Sequence, residues 1–233
     1  MESIDKISGT FGKRQIEPKS EVSTAVIRRL PRYHRCLGEL LRADKLRISS
    51  AELSKIMDVT ASQIRQDLNC FGGFGQQGYG YNVKFLYSKI SELLGVTEGY
   101  NAVIVGAGNL GKALAATHMF ERRGVKRLAM FDTNPELIGT EVHGVPVYSV
   151  SELGQFCKEN NVHIGVLTVP KEAAYDVASV MVDSGVIGIW NFANMELKLN
   201  NPDVIVENIH LGDSLMTLCY AIKTSNEKRE SND

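Results

Sequence analysis

Three glycines at a fixed spacing, Gly106, Gly108 and Gly111, follow a short apolar run, residues 101–105, and precede a stretch typical of a helix. In the pattern G-x-G-x-x-G the first glycine allows a tight turn, the second lets the backbone approach a pyrophosphate, and the third lets helix and strand pack closely. The N–H groups at the start of such a helix face the phosphates. The residues therefore predicted to bind a dinucleotide are Gly106, Ala107, Gly108, Asn109, Leu110 and Gly111.

An acidic residue lies at the position where dinucleotide-binding domains use one to bind the ribose. Asp132 ends a second predicted strand, residues 127–131, and lies 21 residues beyond Gly111. A carboxylate there can accept hydrogen bonds from both ribose hydroxyls and would repel a 2′-phosphate, so the predicted cofactors are NADH and NAD+ rather than NADP. Ala113 occupies the position where a P-loop needs a hydroxyl to hold Mg²⁺, which argues against an ATPase. A Rossmann-like domain that is empty, or that binds another nucleotide such as coenzyme A, is the alternative.

The sequence offers little for a nicotinamide-dependent enzyme. Such an enzyme needs a general acid or base beside the hydride acceptor, usually His, Lys or Tyr held by a carboxylate. The histidines considered for this role, His118, His143 and His163, have no Asp at a suitable spacing, and no Tyr-x-x-x-Lys follows a strand end. Little chain remains for a substrate domain after the last predicted strand, near Glu207. We therefore predict no catalytic residues, and a dehydrogenase is the less favoured alternative.

The chain before the glycine pattern contains two short helix signatures. Ser49 stands three residues before Glu52, and Thr60 stands three residues before Gln63, and both spacings are typical of N-terminal caps. A short turn, residues 58–59, separates the two predicted helices. Two capped helices joined by a tight turn predict a helix-turn-helix.

The second of these helices, predicted over residues 61–69, has one apolar face. Ala61, Ile64 and Leu68 share that face and are expected to pack inward, which leaves polar side chains outside to read bases or clamp phosphates. A run rich in glycine and aromatic residues, 71–82, then predicts a hairpin that acts as a wing and reaches an adjacent groove. A small helical protein-interaction domain whose arginines are merely solvated is the alternative.

An arginine-rich helix is predicted before the helix-turn-helix, over residues 23–41, and Pro31 predicts a break or kink early in it. Its arginines, the cap hydroxyls, the outer face of the second helix and the wing together make up the predicted DNA-binding surface. The residues expected there are Arg29, Arg32, Arg35, Ser49, Thr60, Ser62, Gln63, Arg65, Gln66, Gln76, Gln77 and Tyr79.

The charge distribution agrees with a DNA-binding N-terminal part and a dinucleotide-binding C-terminal part. Residues 1–94 carry 15 Lys and Arg against 10 Asp and Glu, a net charge of +5, whereas residues 95–233 carry 11 against 17, a net charge of −6. The total net charge of −1 is therefore the sum of a basic N-terminal part and an acidic C-terminal part. This is expected if only the N-terminal part binds nucleic-acid phosphates.

Cysteine spacing and hydropathy indicate the cellular compartment and argue against a bound metal and a membrane span. The cysteines are widely spaced, with no C-x-x-C and no His at metal-ligand spacing, which predicts reduced thiols in a cytoplasmic protein and no bound metal. The N-terminus is charged, and no apolar run approaches the roughly 18 residues that span a bilayer. Neither a secretory signal nor a membrane helix is therefore predicted.

The last predicted helix, residues 211–222, has an apolar stripe, and its own subunit offers no obvious surface against which this stripe could pack. A winged helix gains specificity by pairing two half-sites across a two-fold axis, so a homodimer is predicted. Simple packing of the last helix against its own sheet is the alternative. The polar tail, residues 224–233, is expected to fray.

Several stretches, taken together and in this order, resemble the Rex family, the bacterial NAD(H)-responsive transcriptional repressors. They run through most of the chain, and few folds would combine them all. The matching stretches are residues 29–35, 48–53 and 63–68, the glycine-rich wing from 71 to 83, the glycine pattern at 106–111, and residues 167–170, 188–193 and 206–208.

The resemblance implies an α/β Rossmann domain, residues 96–210, preceded by a winged helix-turn-helix domain, residues 21–95, and a flexible arm, residues 1–20. It also implies that residues 211–233 form a C-terminal helix and tail, swapped onto the partner subunit of a homodimer. In the family NADH favours a closed dimer that leaves double-stranded operator DNA, and NAD+ permits the DNA-bound form. The residues that correspond to the nicotinamide side of the pocket are Thr168, Val169, Pro170, Asn191 and Phe192.

Some positions depart from the family pattern. Gln66 stands where many members have a basic residue, and since Gln pairs with adenine, the operator is predicted to shift from G to A there. Thr117 and His118 replace an expected Asn-Tyr pair inside the Rossmann helix. His210 replaces an acid, which leaves Arg35 without an obvious anionic partner. A nucleotide-binding regulator with weakened redox discrimination is therefore the alternative function.

Overall fold

In the computed structural model the described residues are 22–70, 75–76 and 80–230. The chain divides into two compact units, and the boundary between them falls between Leu94 and Gly95. We call the part before this boundary the front unit and the part after it the rear unit. The predicted N-terminal arm lies outside the described residues.

The front unit packs four helices around one apolar cluster and adds a small sheet. Tyr33, Leu37, Ile64 and Leu86 are fully buried members of this cluster. Each helix turns one apolar face toward the cluster, as helical spacing of apolar residues requires. The elements are α1 (Thr24–Arg42), β1 (Arg47–Ile48), α2 (Ser50–Met57), α3 (Ala61–Asn69), β2 (Gly75–Gln76), β3 (Gly80–Asn82) and α4 (Val83–Leu93).

Helix α1 runs unbroken through Pro31, so of the predicted break or kink the break is wrong. A proline inside a helix removes one backbone hydrogen bond, the one to the carbonyl four residues earlier. Val26 and Leu30 before the proline, and Tyr33 and Leu37 after it, are all buried. Because these side chains anchor both halves of α1 in the same core, packing holds the helix together across the missing bond.

The helix-turn-helix is present with the predicted caps. The Ser49 hydroxyl accepts the N–H of Glu52 at 3.1 Å, and the Glu52 carboxylate accepts the N–H of Ser49 at 2.9 Å, which completes a capping box at the start of α2. The Thr60 hydroxyl accepts the N–H of Gln63 at 3.1 Å at the start of α3. Between the two helices, Asp58 adopts the left-handed conformation with φ 52°, which ends α2 and turns the chain.

The predicted hairpin follows α3. Strand β2 pairs antiparallel with β3, where Gln76 lies opposite Gly80, and β3 pairs antiparallel with β1, where Tyr81 lies opposite Ile48. Gly80 has φ +70°, and a Cβ on it would lie 2.7 Å from the carbonyl oxygen of Ile48, so the pairing needs glycine here. The three strands form a small sheet in the order β1-β3-β2, the wing of a winged helix.

The rear unit is a doubly wound sheet in the strand order β10-β9-β8-β4-β5-β7-β6. Neighbouring strands are parallel except β6 and β7. The order reverses between β4 and β8, and sheets of this kind bind ligands at that point, outside the carboxyl ends of the strands. The elements are β4 (Tyr100–Val105), α5 (Asn109–Ala115), β5 (Val125–Asp132), β6 (Glu141–Val142), β7 (Val145–Ser149), α6 (Leu153–Glu159), β8 (Ile164–Leu167), α7 (Lys171–Asp183), β9 (Gly188–Asn191), β10 (Ile205–Asn208) and α8 (Leu211–Glu230).

Helix α5 is shorter than predicted. It ends at Ala115, so Thr117 and His118, which we expected inside the Rossmann helix, lie beyond its end and are exposed. The Thr117 hydroxyl donates a hydrogen bond to the carbonyl oxygen of Leu114 at 2.9 Å, a local bond that competes with further helical turns. The chain then continues to Phe120, which is buried in the apolar cluster that also contains Ala107 and Ala115.

Helix α8 is longer than predicted. It continues to Glu230, so the described part of the tail that was expected to fray is helical. Its apolar residues Leu211, Leu215 and Ile222 are 63%, 62% and 53% exposed. The alternative in which this helix packs against its own sheet is therefore wrong.

Candidate nucleotide-binding and DNA-binding sites

The glycine pattern forms the turn between β4 and α5, at the point where the strand order reverses. Gly106 has φ +101°, and a Cβ on it would lie 2.7 Å from the carbonyl oxygen of Thr168. A Cβ on Gly111 would overlap the carbonyl oxygen of Gly106. Any larger residue at either position would push strand and helix apart.

Gly108 has a different environment. It is the N-cap residue of α5, it is exposed, and a Cβ on it would meet no atom within 4 Å. Ala107 before it is buried, Asn109 after it is exposed, and Leu110 is half-buried. The backbone N–H groups at the start of α5 thus adjoin open space that a pyrophosphate can enter.

Asp132, at the end of β5, lies against this turn. One of its carboxylate oxygens accepts the N–H of Ala107 at 2.6 Å, and the other accepts the N–H of Asn134 at 2.8 Å. Each oxygen of a carboxylate has two acceptor positions, so one remains on each for a ribose hydroxyl. Asp132 therefore holds the glycine turn in place and keeps the capacity that ribose binding needs.

The residues predicted for the nicotinamide side lie where β8 and β9 end. The Thr168 hydroxyl lies 3.0 Å from the carbonyl oxygen of Val105 and 2.8 Å from that of Gly106, and its proton is shared between them. Thr168 thus ties the end of β8 to the glycine turn. Of the five residues, Asn191 is buried, Thr168, Val169 and Phe192 are half-buried, and Pro170 is the exposed N-cap residue of α7.

A polar network that sequence reasoning missed extends from this edge of the sheet. The amide of Asn191 donates to Asn208 Oδ1 at 2.7 Å, and the amide of Asn208 donates to Glu196 Oε2 at 3.1 Å. The other oxygen of Glu196 lies 3.0 Å from His210 Nε2. Since His210 directly precedes α8, side chains connect the end of β9 to the last helix. Glu196 has no sequence signal because it lies in an irregular loop, 12 and 14 residues from its two partners.

Glu196 also changes the interpretation of His210. We expected this position to lack an acid, yet the Glu196 carboxylate lies within hydrogen-bond distance of the imidazole. A carboxylate therefore lies beside residue 210, supplied by Glu196 and not by residue 210 itself.

The outer face of α3 carries the polar side chains expected to read DNA. Ser62, Arg65 and Gln66 are exposed, whereas Ile64 on the inner face is buried. The Arg65 guanidinium donates to the Ser50 hydroxyl at 3.1 Å, at the start of α2. This contact uses one of its five N–H groups, so the others can bind a phosphate or a guanine edge.

Two of the arginines predicted to bind DNA have partners inside the front unit. Arg29 donates two hydrogen bonds of 2.7 Å, one to each carboxylate oxygen of Asp67. Arg32 donates to the carbonyl oxygen of Met57 at 2.7 Å, at the end of α2. Both arginines hold α1 against the helix-turn-helix, and a DNA contact by either one stays a prediction. Arg35 is exposed.

Asp67 is the residue of this site that sequence reasoning missed. Its side chain is fully buried, and besides Arg29 it accepts the Tyr33 hydroxyl at 2.9 Å and the Gln63 amide at 2.8 Å. Burial acts to raise the pKa of Asp67, but hydrogen bonds from Arg29, Gln63 and Tyr33 outweigh it and hold the pKa below its ordinary value. Burial, with the bond to this carboxylate, raises the pKa of the Tyr33 phenol.

The remaining predicted DNA contacts are those of Ser49, Thr60, Gln76, Gln77 and Tyr79. The hydroxyl oxygens of Ser49 and Thr60 already accept helix N–H groups, so any contact they make with DNA is additional. The side chain of Gln76 lies outside the described residues, as do Gln77 and Tyr79 entirely. Contacts of all five residues with DNA stay predictions.

Within the described ranges, no three His, Cys, Asp or Glu side chains are grouped so that they could hold a metal ion. Among the helices described, none has the length and apolar character needed to cross a membrane.

Two family models match the chain, one in each unit. A model described as "CoA binding domain" matches residues 97–195, in the rear unit. A model described as "Putative DNA-binding protein N-terminus" matches residues 21–69, in the front unit. The two matches fall on the glycine turn and on the helix-turn-helix, respectively.

Curated relatives match nearly the whole chain. The "Redox-sensing transcriptional repressor Rex" of Clostridium perfringens is 50% identical over 213 residues, which cover 91% of this chain and 100% of the relative. The protein of the same name from Clostridium botulinum strain Hall is 51% identical over 210 residues, which cover 90% of this chain and 100% of the relative.

Solved structures agree with these relatives. The crystal structure of RSP, a Rex-family repressor, has 47% identity and a TM-score of 0.83, and the match covers 92% of this chain and 100% of RSP. The crystal structure of RSP in complex with β-NAD+ and operator DNA has 50% identity and a TM-score of 0.83, covering 91% and 97% of the two chains. Since these relatives are repressors, the dehydrogenase alternative is set aside. The chain belongs to the Rex family of redox-sensing transcriptional repressors.

Proposed function

We propose that this chain is a cytoplasmic, homodimeric repressor that binds a palindromic operator, senses the ratio of NADH to NAD+ and leaves DNA when NADH binds. The observation that carries the proposal is the open glycine turn at Gly108, held by Asp132, in the same chain as a capped helix-turn-helix. We assign DNA binding to residues 21–95, cofactor binding to residues 96–210 and dimer formation to residues 211–233.

In the front unit, α3 acts as the recognition helix. The N-terminal residues of such a helix contact base edges in the major groove, which assigns base reading to Ser62, Gln63 and Gln66. Arg65 adds a contact to a phosphate or a guanine. The buried ion pair of Asp67 with Arg29 keeps α3 fixed on α1. The helix that carries the base-contacting side chains is therefore already in place before DNA binds.

In the rear unit, the start of α5 binds the pyrophosphate and Asp132 binds the adenosine ribose. The charge of Asp132 repels the extra phosphate of NADP, which makes the unit selective for NAD+ and NADH. When bound, the cofactor supplies a nicotinamide ring that is positively charged in NAD+ and neutral in NADH. Phe192, half-buried at the end of β9, lines the pocket for this ring, whose charge differs between the two forms.

The network from Asn191 through Asn208 and Glu196 to His210 carries this difference toward α8. The contacts are continuous, with distances of 2.7, 3.1 and 3.0 Å. A ligand shifts an equilibrium between two dimer states only as far as its affinities for them differ. NADH must therefore bind the DNA-free state of the dimer more tightly than the DNA-bound state.

The exposed apolar residues of α8 support the homodimer. Leu211, Leu215, Leu218 and Ile222 are each more than half exposed and recur at helical spacing. Leaving such a stripe in water is unfavourable, and a partner subunit that receives α8 would cover it. A two-fold dimer would also present two recognition helices to the two halves of a palindrome.

The test is a titration of purified full-length protein on an A-rich palindromic operator, obtained by selection from random DNA, with NADH and NAD+ added separately at fixed salt. Release by NADH alone is the expected result. Release by neither cofactor would indicate the alternative, a nucleotide-binding regulator with weakened redox discrimination, which the changes at Thr117 and His210 favour. Failure to select any operator would overturn the assignment of DNA binding.

A further inference from the structure

The amide of Gln63 is held by a buried acceptor. Its Nε2 donates to Asp67 Oδ1 at 2.8 Å, one turn further along α3, and Asp67 is fully buried. An ionised carboxylate only accepts hydrogen bonds, and the Arg29 guanidinium on both of its oxygens keeps it ionised. The N–H₂ end of the Gln63 amide must therefore face Asp67, because the carbonyl end would bring two acceptors together.

This contact fixes the orientation in which the amide meets DNA. A glutamine normally offers either a donor or an acceptor, since its amide can turn over. Gln63 cannot turn over without losing its charge-assisted hydrogen bond to Asp67. Asp67 takes one of the two amide protons, so Gln63 presents its carbonyl oxygen Oε1 and one remaining N–H outside, in an order that cannot be reversed, where the side chain is partly exposed. Gln63 lies in the first turn of α3, the part of a recognition helix that contacts bases.

Gln66 provides the contrast within the same helix. Its side chain is exposed, and no side chain in the described ranges hydrogen-bonds its amide. Its amide is therefore free to present the donor, the acceptor or both, as adenine requires. The two glutamines have the same chemistry but differ in whether a buried charge fixes their orientation.

We propose that Gln63, fixed by Asp67, selects a base with an exocyclic amine, adenine or cytosine, at one position of each operator half-site and rejects guanine and thymine there. In the major groove adenine and cytosine offer amine donors, whereas the groove edges of guanine and thymine offer acceptors that would oppose Oε1. Gln66, which is not fixed, discriminates less at its own position. This inference rests on the proposed operator binding and adds the rule by which α3 reads one base.

The test measures the affinity of full-length protein for operators that carry each of the four bases at each half-site position. The position read by Gln63 is the one at which the preference disappears in Gln63→Ala. There, adenine or cytosine should bind about tenfold more tightly than guanine or thymine. Replacing the preferred base with an analogue without the amine, purine for adenine or 2-pyrimidinone for cytosine, should cost the wild type about tenfold and Gln63→Ala less than about twofold.

Two further variants distinguish the effect of the fixed amide orientation from a general loss of DNA affinity. Gln66→Ala should remove the preference at a different position and keep the one assigned to Gln63. Asp67→Asn offers a donor as well as an acceptor, so the Gln63 amide can turn over, and guanine or thymine should bind within about threefold of the preferred base. Should Asp67→Asn fail to fold, the Gln63→Ala and base-analogue measurements decide.

Three results would each overturn the inference while leaving operator binding intact. These are a preference for guanine or thymine at the Gln63 position, wild-type binding that tolerates loss of the amine, and unchanged preferences at every position in Gln63→Ala. If the wild type selected no operator at all, the proposed function itself would fail, which is a distinguishable outcome.

Discussion

The front and rear units hold their functional groups in different ways. In the front unit the position of the reading helix depends on side chains, because buried Asp67 joins Arg29 and Tyr33 of α1 to α3. In the rear unit the shape of the site depends on the backbone, because Gly106 and Gly111 leave no room for a Cβ. A site built from side chains can be retuned one residue at a time, whereas a site built from backbone contacts tolerates few changes. The front unit is thus the part whose specificity can change while the cofactor stays the same.

Gly111→Ala should break the backbone-built site and have the largest effect. Its Cβ would overlap the carbonyl oxygen of Gly106, so the contact between β4 and α5 must open. We expect loss of NADH binding and destabilisation of the rear unit by about 3 kcal/mol or more. Thermal unfolding and NADH fluorescence titration measure the two effects.

The matched control is Gly108→Ala, whose Cβ would meet no protein atom within 4 Å. Its stability should change by less than about 1 kcal/mol, while NADH affinity falls because the methyl group occupies the space of the pyrophosphate. A Gly111→Ala protein that is stable and binds NADH normally would contradict the comparison.

Asp67→Ala should have the largest effect on the stability of the front unit. It leaves Arg29 without its anionic partner and the buried Tyr33 hydroxyl without its acceptor. We expect a loss of about 3 kcal/mol in urea unfolding, since removing one partner strands the other. Lys89→Ala is the control, because the Lys89–Glu92 pair is exposed and should contribute less than about 0.5 kcal/mol. Equal losses in both variants would show that burial of Asp67 is immaterial.

Asp67 also predicts how the front unit responds to acid. Because the folded state lowers the pKa of Asp67, its stabilisation is present above the ordinary carboxyl pKa and is lost as the pH falls through the lowered value. Unfolding free energy should therefore decrease at acid pH in the wild type, and Asp67→Asn should show a flatter dependence. The measurement is chemical unfolding of both proteins over a series of pH values. The same slope in both would exclude Asp67 as the source.

Asp132→Ala and Arg65→Ala test whether the two units work separately. Asp132→Ala should weaken NADH binding about tenfold, the effect of losing charge-assisted hydrogen bonds, and leave DNA affinity without cofactor unchanged. Arg65→Ala should weaken DNA binding by a similar factor and leave NADH affinity unchanged. Cofactor and DNA titrations of both variants give the four values. If each change damaged both activities equally, the division into two sites would be wrong.

Glu196→Gln should have the smallest effect, confined to communication between the sites. It removes the charge beside His210 without removing a residue proposed to contact DNA or cofactor. We expect near-normal affinities for each ligand alone, and a reduction of about threefold in the effect of NADH on DNA affinity. Glu207→Gln is the control, since it removes an exposed acid from the neighbouring strand β10. An identical response in both variants would exclude a specific role for Glu196.

Local patterns predicted much of this architecture. The caps at Ser49 and Thr60 and the tight turn at Gly106 each depend on a few consecutive residues, so spacing alone predicts them. The predictions failed where packing outweighs local preference. Pro31 lies inside an unbroken helix because the core holds both of its sides, and α5 ends at Ala115, after which the chain buries Phe120.

The sequence by itself determined the family, the order of the two units and the preference for NAD-type cofactors, because these follow from short-range spacing and from the conformational freedom of glycine. Only the tertiary structure decided that Arg29 binds a buried carboxylate, that the same carboxylate fixes Gln63, and that Glu196 lies beside His210. The contacts of Arg29 with Asp67 and of Glu196 with His210 join residues 38 and 14 positions apart. Such pairs meet because helices and loops pack in three dimensions, and no periodicity along the chain encodes that meeting.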